Sequence, residues 1–115
     1  MNCKRGDVVL VLFPHSNLRT AKRRPALAVQ IDNLATGLPQ TIVAMISSNQ
    51  ARSGHPSRVT VVLSSPEGQR TGLLTDSVIL TDNLATVLDV EIDRVLGAWP
   101  DMARVDAALR ATLGL

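Results

Sequence analysis

Residues 21–30 read AKRRPALAVQ: three cations, a proline, then an apolar run. Proline has no amide hydrogen, so a sheet tolerates it at the first residue of a strand or on an edge. Pro25 therefore predicts a strand that opens there, with PALAVQI as its body, and it biases Arg24 toward extended backbone. An arginine on stiff backbone at a strand mouth has two readings. Cations flanking an apolar strand discourage edge-to-edge aggregation. A fixed guanidinium also presents a planar fork of donors that matches a phosphate. The stretch by itself is satisfied by the first reading; the second needs help from other residues.

The flanks supply more strands. DVVLVLF predicts a strand over residues 8–13, apolar on both faces and ended by Pro14. A basic loop follows. TIVAMISS, residues 41–48, predicts a third strand ending in hydroxyls, and RVTVVLS, residues 58–64, a fourth. SPEGQRTG reads as a turn cluster, and DSVILTD, residues 76–82, as the last strand. The pattern then changes: Met102, Val105, Leu109 and Leu113 share one helical face, with Asp101 placed to cap it and Gly114 where it would stop. Five short strands and a terminal helix predict one mainly β domain over residues 1–115, a small, strongly bent antiparallel sheet or barrel with the helix packed on it.

Composition narrows the class. The chain has 115 residues, 45% apolar and 19% charged, ordinary for a globular domain with one modest core. Its longest apolar run is far too short to span a bilayer, and its first residues show no signal-peptide pattern. Cys3 is the only cysteine, which forbids an internal disulfide and a cysteine-type zinc site, and the two histidines lack ligand spacing. The expectation is a cytoplasmic protein with no metal, no cofactor and no membrane partner. Charge is segregated: residues 1–24 hold six Lys/Arg against one acid, while residues 76–106 hold seven acids against two arginines. The basic end suits an anionic partner such as nucleic acid, and two solvated faces suit the same numbers.

Other residues at strand ends sharpen the anion reading. Ser47 and Ser48 close the third strand, and their hydroxyls can donate to phosphate oxygens or simply form a turn. Asp82 follows SVILT and could be a base, a turn former or a partner for Arg24. An arginine, hydroxyls and a carboxylate together suit phosphodiester cleavage in RNA. There the 2′-hydroxyl attacks its neighbouring phosphate, a base accepts its proton, and donors stabilise the charge that builds on phosphorus.

Taken in order, RGDVVLVLF, KRRPALAV, TIVAMISSN, GLLTDSVILTDNLATV and ARVDAALRATLGL resemble the toxins of the MazF/PemK family over nearly the whole chain. The resemblance implies the SH3-like barrel of the plasmid-toxin superfamily (CcdB, MazF and PemK) with a C-terminal helix, and a homodimer. It implies a metal-independent, sequence-specific endoribonuclease that cleaves single-stranded RNA to leave a 2′,3′-cyclic phosphate. It implies a cognate antitoxin with an acidic tail on the same positive surface, and DNA binding by their complex. The family's essential arginine falls on Arg24, its strand-end threonine on Ser47 with Ser48 beside it, and a carboxylate proposed as base in one branch on Asp82. Arg19, Lys22, Arg23, Ser48, Arg52 and Arg58 are the expected RNA contacts. Two departures stand out. The arginine that serves as acid in that branch is Leu80 here, and the usual acidic EQ of the first loop is NLRT. The superfamily also offers a non-catalytic alternative, a CcdB-like module that acts on a protein.

His15 and His55 are the remaining base candidates, each as readily plain loop surface. Trp99 is the only large aromatic able to stack on a base, and its place beside the helix cap reads as core.

Overall fold

A computed structural model gives the architecture and describes residues 3–14 and 21–115. Six strands, β1 (Asp7–Pro14), β2 (Ala21–Ala28), β3 (Gln40–Ser47), β4 (Arg58–Val61), β5 (Ser77–Leu88) and β6 (Ile92–Ala98), form one antiparallel sheet in the order β4-β5-β3-β2-β1-β6. The edge strands β4 and β6 do not pair with each other, so the barrel is not closed. A one-turn helix α1 (Pro66–Gln69) lies between β4 and β5, and α2 (Met102–Leu113) packs on β4 and β5.

The unbroken apolar run of β1 follows from burial on both faces. Val8 joins Leu27, Ala44, Ile46, Ile79 and Trp99 beneath α2 through Val105 and Ala108. Val9 and Val11 face the other way, into a second cluster with Ala26, Val43, Val87 and Ile92. Helix α2 has the expected bounds and stops on Gly114, which takes the left-handed conformation with φ of 72°. Its buried face is Val105 and Ala108, with Met102 and Leu109 packed against them. Leu113, expected on that face, is exposed, and Asp101 sits at the cap position without making the side-chain cap bond.

Three strand expectations are corrected. Strand β2 opens at Ala21, so Arg24 lies inside it opposite Val11 and Pro25 lies opposite Leu10. Proline is tolerated because pairing with β3 begins only at Ala26, leaving that side of Pro25 without a ladder. Strand β5 runs on to Leu88, past a break in which Met45 pairs with Leu80 and Ala44 with Leu84. The intervening Thr81–Asn83 segment bulges, the usual device for bending a strand. Strand β6 was not expected at all. It pairs with β1 through two register shifts, which leave Asp93 and Leu96 as extra residues and spoil its alternation.

The segment between α1 and β5 is clamped to β6. Ala98 donates its amide to the Arg70 carbonyl at 2.9 Å. Gly72, at φ of 72°, approaches so closely that a Cβ there would lie 2.2 Å from the Leu96 carbonyl oxygen. Residues 73–75 are thereby fixed as a wall facing β2 and β3.

Candidate nucleic-acid groove

Between that wall and strands β2, β3 and β6 runs a groove of about 510 Å³, with Leu10, Met45 and Leu80 in its apolar lining. Lys22, Arg23, Arg24, Ser47, Ser48 and Arg52 all line it. The strand-end constellation expected from sequence is therefore brought together, except for Asp82 and Arg58, which lie outside the lining. Thr75, Asn83 and Arg94 also line it, and these three were not anticipated. No carboxylate lines the groove among the described residues. Arg24 and Arg52 are exposed and have no carboxylate partner among the described residues, whereas Arg23 meets Asp93 at 3.5 Å. The expected contact Arg19 and the base candidate His15 lie outside the described residues.

Ser47 ends β3 opposite Val78 and is half-buried. Its Oγ accepts the Asn49 amide at 3.1 Å, and the Asn49 side chain accepts the Ala51 amide at 3.1 Å. This relay turns the chain into a 3-10 turn, Gln50–Arg52, and sets Arg52 at the groove rim. A hydroxyl that accepts a backbone amide keeps its own proton free to donate.

Asp82 sits in the middle of β5 and faces Arg58 rather than Arg24. The Arg58 guanidinium bonds it twice, Nη2 to Oδ2 at 2.9 Å and Nε to Oδ1 at 3.4 Å. That partner holds the Asp82 carboxyl below the ordinary carboxylate range. His55 is tied into its own loop: its Nδ1 lies 2.7 Å from Ser57 Oγ and accepts the Ser57 amide at 3.1 Å. Thr81 in turn bonds the Ser57 carbonyl with both its amide and its hydroxyl.

Trp99 is core, 1% exposed, with its indole N–H donated to the Asp101 carbonyl at 3.0 Å. No described aromatic side chain reaches the groove. Recognition there falls to guanidinium groups, hydroxyls, the Asn83 amide and apolar surface. Among the described residues no three of His, Cys, Asp and Glu come together, and no helix is long and apolar enough to cross a membrane.

A bent antiparallel sheet with one terminal helix is a fold shared with solved toxin structures. Residues 4–113 match the family described as PemK-like, MazF-like toxin of type II toxin-antitoxin system, and the chain belongs to that family. It is 34% identical over 107 residues to Endoribonuclease MazF6 of Mycobacterium tuberculosis (strain ATCC 25618 / H37Rv), covering 90% of each chain. Among solved structures, Mycobacterium tuberculosis toxin MazF-mt6 superposes with a TM-score of 0.74 at 20% identity, over 95% of this chain and 97% of that one. An endoribonuclease in complex with its cognate antitoxin, from a mycobacterial species, superposes with a TM-score of 0.73 at 22% identity, over 99% and 97%. The two structures bear on the fold, which they share with this chain.

Proposed function

We propose that this toxin is a metal-independent endoribonuclease that binds single-stranded RNA in the Arg24 groove and cleaves it by attack of a 2′-hydroxyl on the adjacent phosphate, which closes a 2′,3′-cyclic phosphate, breaks the P–O5′ bond and passes the hydroxyl proton, through solvent, to the leaving 5′-oxygen. The observation that carries the reading is the groove itself, where Arg24, Arg52 and the Ser47 hydroxyl converge and no described lining residue is an acid. Catalysis of this kind rests on donors placed where charge develops. Arg24 supplies a forked cation, held on a strand and made stiffer by Pro25. Ser47 supplies an O–H whose oxygen is pinned by the Asn49 amide. The charge that builds on the phosphorane oxygens is met by both. Lys22, Arg23, Ser48 and Arg52 hold the flanking backbone. Asp82, the carboxylate expected as base, acts in this reading through Arg58, because its oxygens are engaged by that guanidinium. The donor set suits a reaction without a metal: hard cations need carboxylate or carbonyl oxygens, and the described lining side chains include cations and no carboxylate.

The same surface fits the acidic tail of a cognate antitoxin, which would neutralise the cations and exclude RNA, and a homodimer is the assembly in which we expect it to act. The test is incubation of the purified protein with a long unstructured RNA in excess chelator, followed by mapping of the new ends. Discrete cuts ending in 2′,3′-cyclic phosphate are expected. A folded protein that leaves the RNA intact, with or without added divalent metal, overturns the reading in favour of a binding module that acts on a protein.

A further inference from the structure

The described arginines divide by partner. Arg5, Arg23, Arg58 and Arg104 each have a carboxylate, Asp106, Asp93, Asp82 and Asp101 respectively. Arg24, Arg52, Arg70, Arg94 and Arg110 have none among the described residues. Three of these five, Arg24, Arg52 and Arg94, line one groove. Arg94 is exposed, and its own strand carries an acid at the preceding position, yet the two do not pair.

The β6 bulge accounts for this. Leu10 pairs with Arg94 and Val11 with Ile92, so Asp93 is the extra residue. It leaves the ladder and reaches Arg23 on β2. Arg94 stays in register opposite Leu10, whose other neighbour is Pro25. Pro25, Leu10 and Arg94 thus form one row across three strands and share a face of the sheet. At the usual strand spacing the β2 and β6 backbones in that row are roughly 10 Å apart. The bulge turns Asp93 onto Arg23 and leaves Arg94 in register on the Leu10 row, a second arginine without a carboxylate partner among the described residues that lines the same groove as Arg24. The Leu80 position, where the branch with the proposed carboxylate base has an arginine, adds only apolar surface to the lining.

We propose that Arg94 is a second backbone clamp of the groove, contacting an RNA phosphate adjacent to the one held at Arg24. This rests on the reading of the groove as an RNA site. A single-strand phosphate contact made by a cation releases condensed counterion, and its loss lowers the salt slope of binding by about 0.7. Arg94 therefore contributes to affinity and to the salt dependence of binding, and acts mainly through KM.

The probe is a short, randomised 2′-O-methyl RNA, which binds but lacks the attacking hydroxyl. Its dissociation constant is measured across a salt series for the wild type, Arg94→Gln, Arg94→Lys and, as a control on the outer face of α2, Arg110→Gln. For Arg94→Gln the expected result is roughly tenfold weaker binding at low salt and a slope lower by about 0.7. Lysine should restore the slope, and Arg110→Gln should match the wild type. A wild type that binds with a salt slope unchanged in Arg94→Gln overturns this inference and leaves the functional reading standing. Equal loss in Arg94→Gln and Arg110→Gln also overturns it, since the effect is then only net charge. A wild type that fails to bind RNA removes both together.

Discussion

Arg58 on β4 and Asp82 on β5 form a forked ion pair, and the remaining nitrogen of the same guanidinium, Nη1, donates to the Arg52 carbonyl at 3.1 Å. Asp82 is thereby connected to the turn that carries Arg52 to the groove rim. In the proposed reading the pair is a strap: Asp82 positions Arg58, and Arg58 holds the Arg52 backbone.

Asp82→Asn should therefore weaken cleavage through KM, by up to about fivefold, with kcat largely retained, because an exposed pair of this kind contributes up to about 1 kcal/mol. Arg58→Gln should behave alike, and the double variant should be no worse than either single one. Collapse of kcat in Asp82→Asn alone, with KM unchanged, would assign the carboxylate to proton transfer.

The same pair sets a pH expectation. Arg58 lowers the Asp82 carboxyl, so its contribution to stability is fully present above the ordinary carboxylate pKa of about 3.9 and is lost as pH falls through the lower folded value. Asp82 does not change charge near neutral pH. The pH–rate profile of Asp82→Asn between about pH 5 and 8 should keep the wild-type shape, in the range where an imidazole titrates and an ordinary carboxylate does not. Loss of an acidic limb in the variant would contradict the strap.

Ser47→Ala removes the groove hydroxyl and leaves the Asn49 amide, which is exposed and can turn to water. Cleavage should fall by about a hundredfold, the scale of one lost transition-state donor, with little change in Tm. Ser47→Thr should retain activity, since it keeps the oxygen and restricts its rotamer.

The groove wall depends on Gly72. A Cβ there meets the Leu96 carbonyl and carbon at 2.2 and 2.7 Å, and the φ of 72° disfavours any other side chain. Gly72→Ala should cost roughly 2 kcal/mol or more of stability, read as a lowered urea midpoint. Gly37→Ala is the comparison, because no atom lies within 4 Å of a Cβ at that position, so it should cost only its own backbone strain.

The core was legible in the sequence where burial is simple. The two-faced apolar run of β1 and the three-four spacing of α2 both emerge where expected, and so does Trp99 in the core. Strand β6 was hidden because its bulges at Asp93 and Leu96 break the alternation that marks a strand. Arg94 was hidden with it, averaged into an acidic stretch whose Asp93 and Asp82 turn out to be occupied by Arg23 and Arg58. The start of β2 was misplaced because three cations look like a loop, and because the absence of a β3 partner beside Pro25 is a property of pairing rather than of composition. Arg24, Ser47 and Arg52 were nameable one by one. That they share a groove with no described acid depends on how the sheet curls, and spacing along the chain does not carry that.

The central claim is that Arg24 stabilises a phosphate in its transition state. Its most direct measurement is the single-turnover cleavage rate, at saturating protein and in chelator, of Arg24→Ala beside the wild type. Arg24 is exposed and makes no ion pair among the described residues, so the variant should fold with the wild-type circular dichroism and Tm. The account predicts a rate lower by at least about a hundredfold. A folded Arg24→Ala protein that cleaves at the wild-type rate would contradict it.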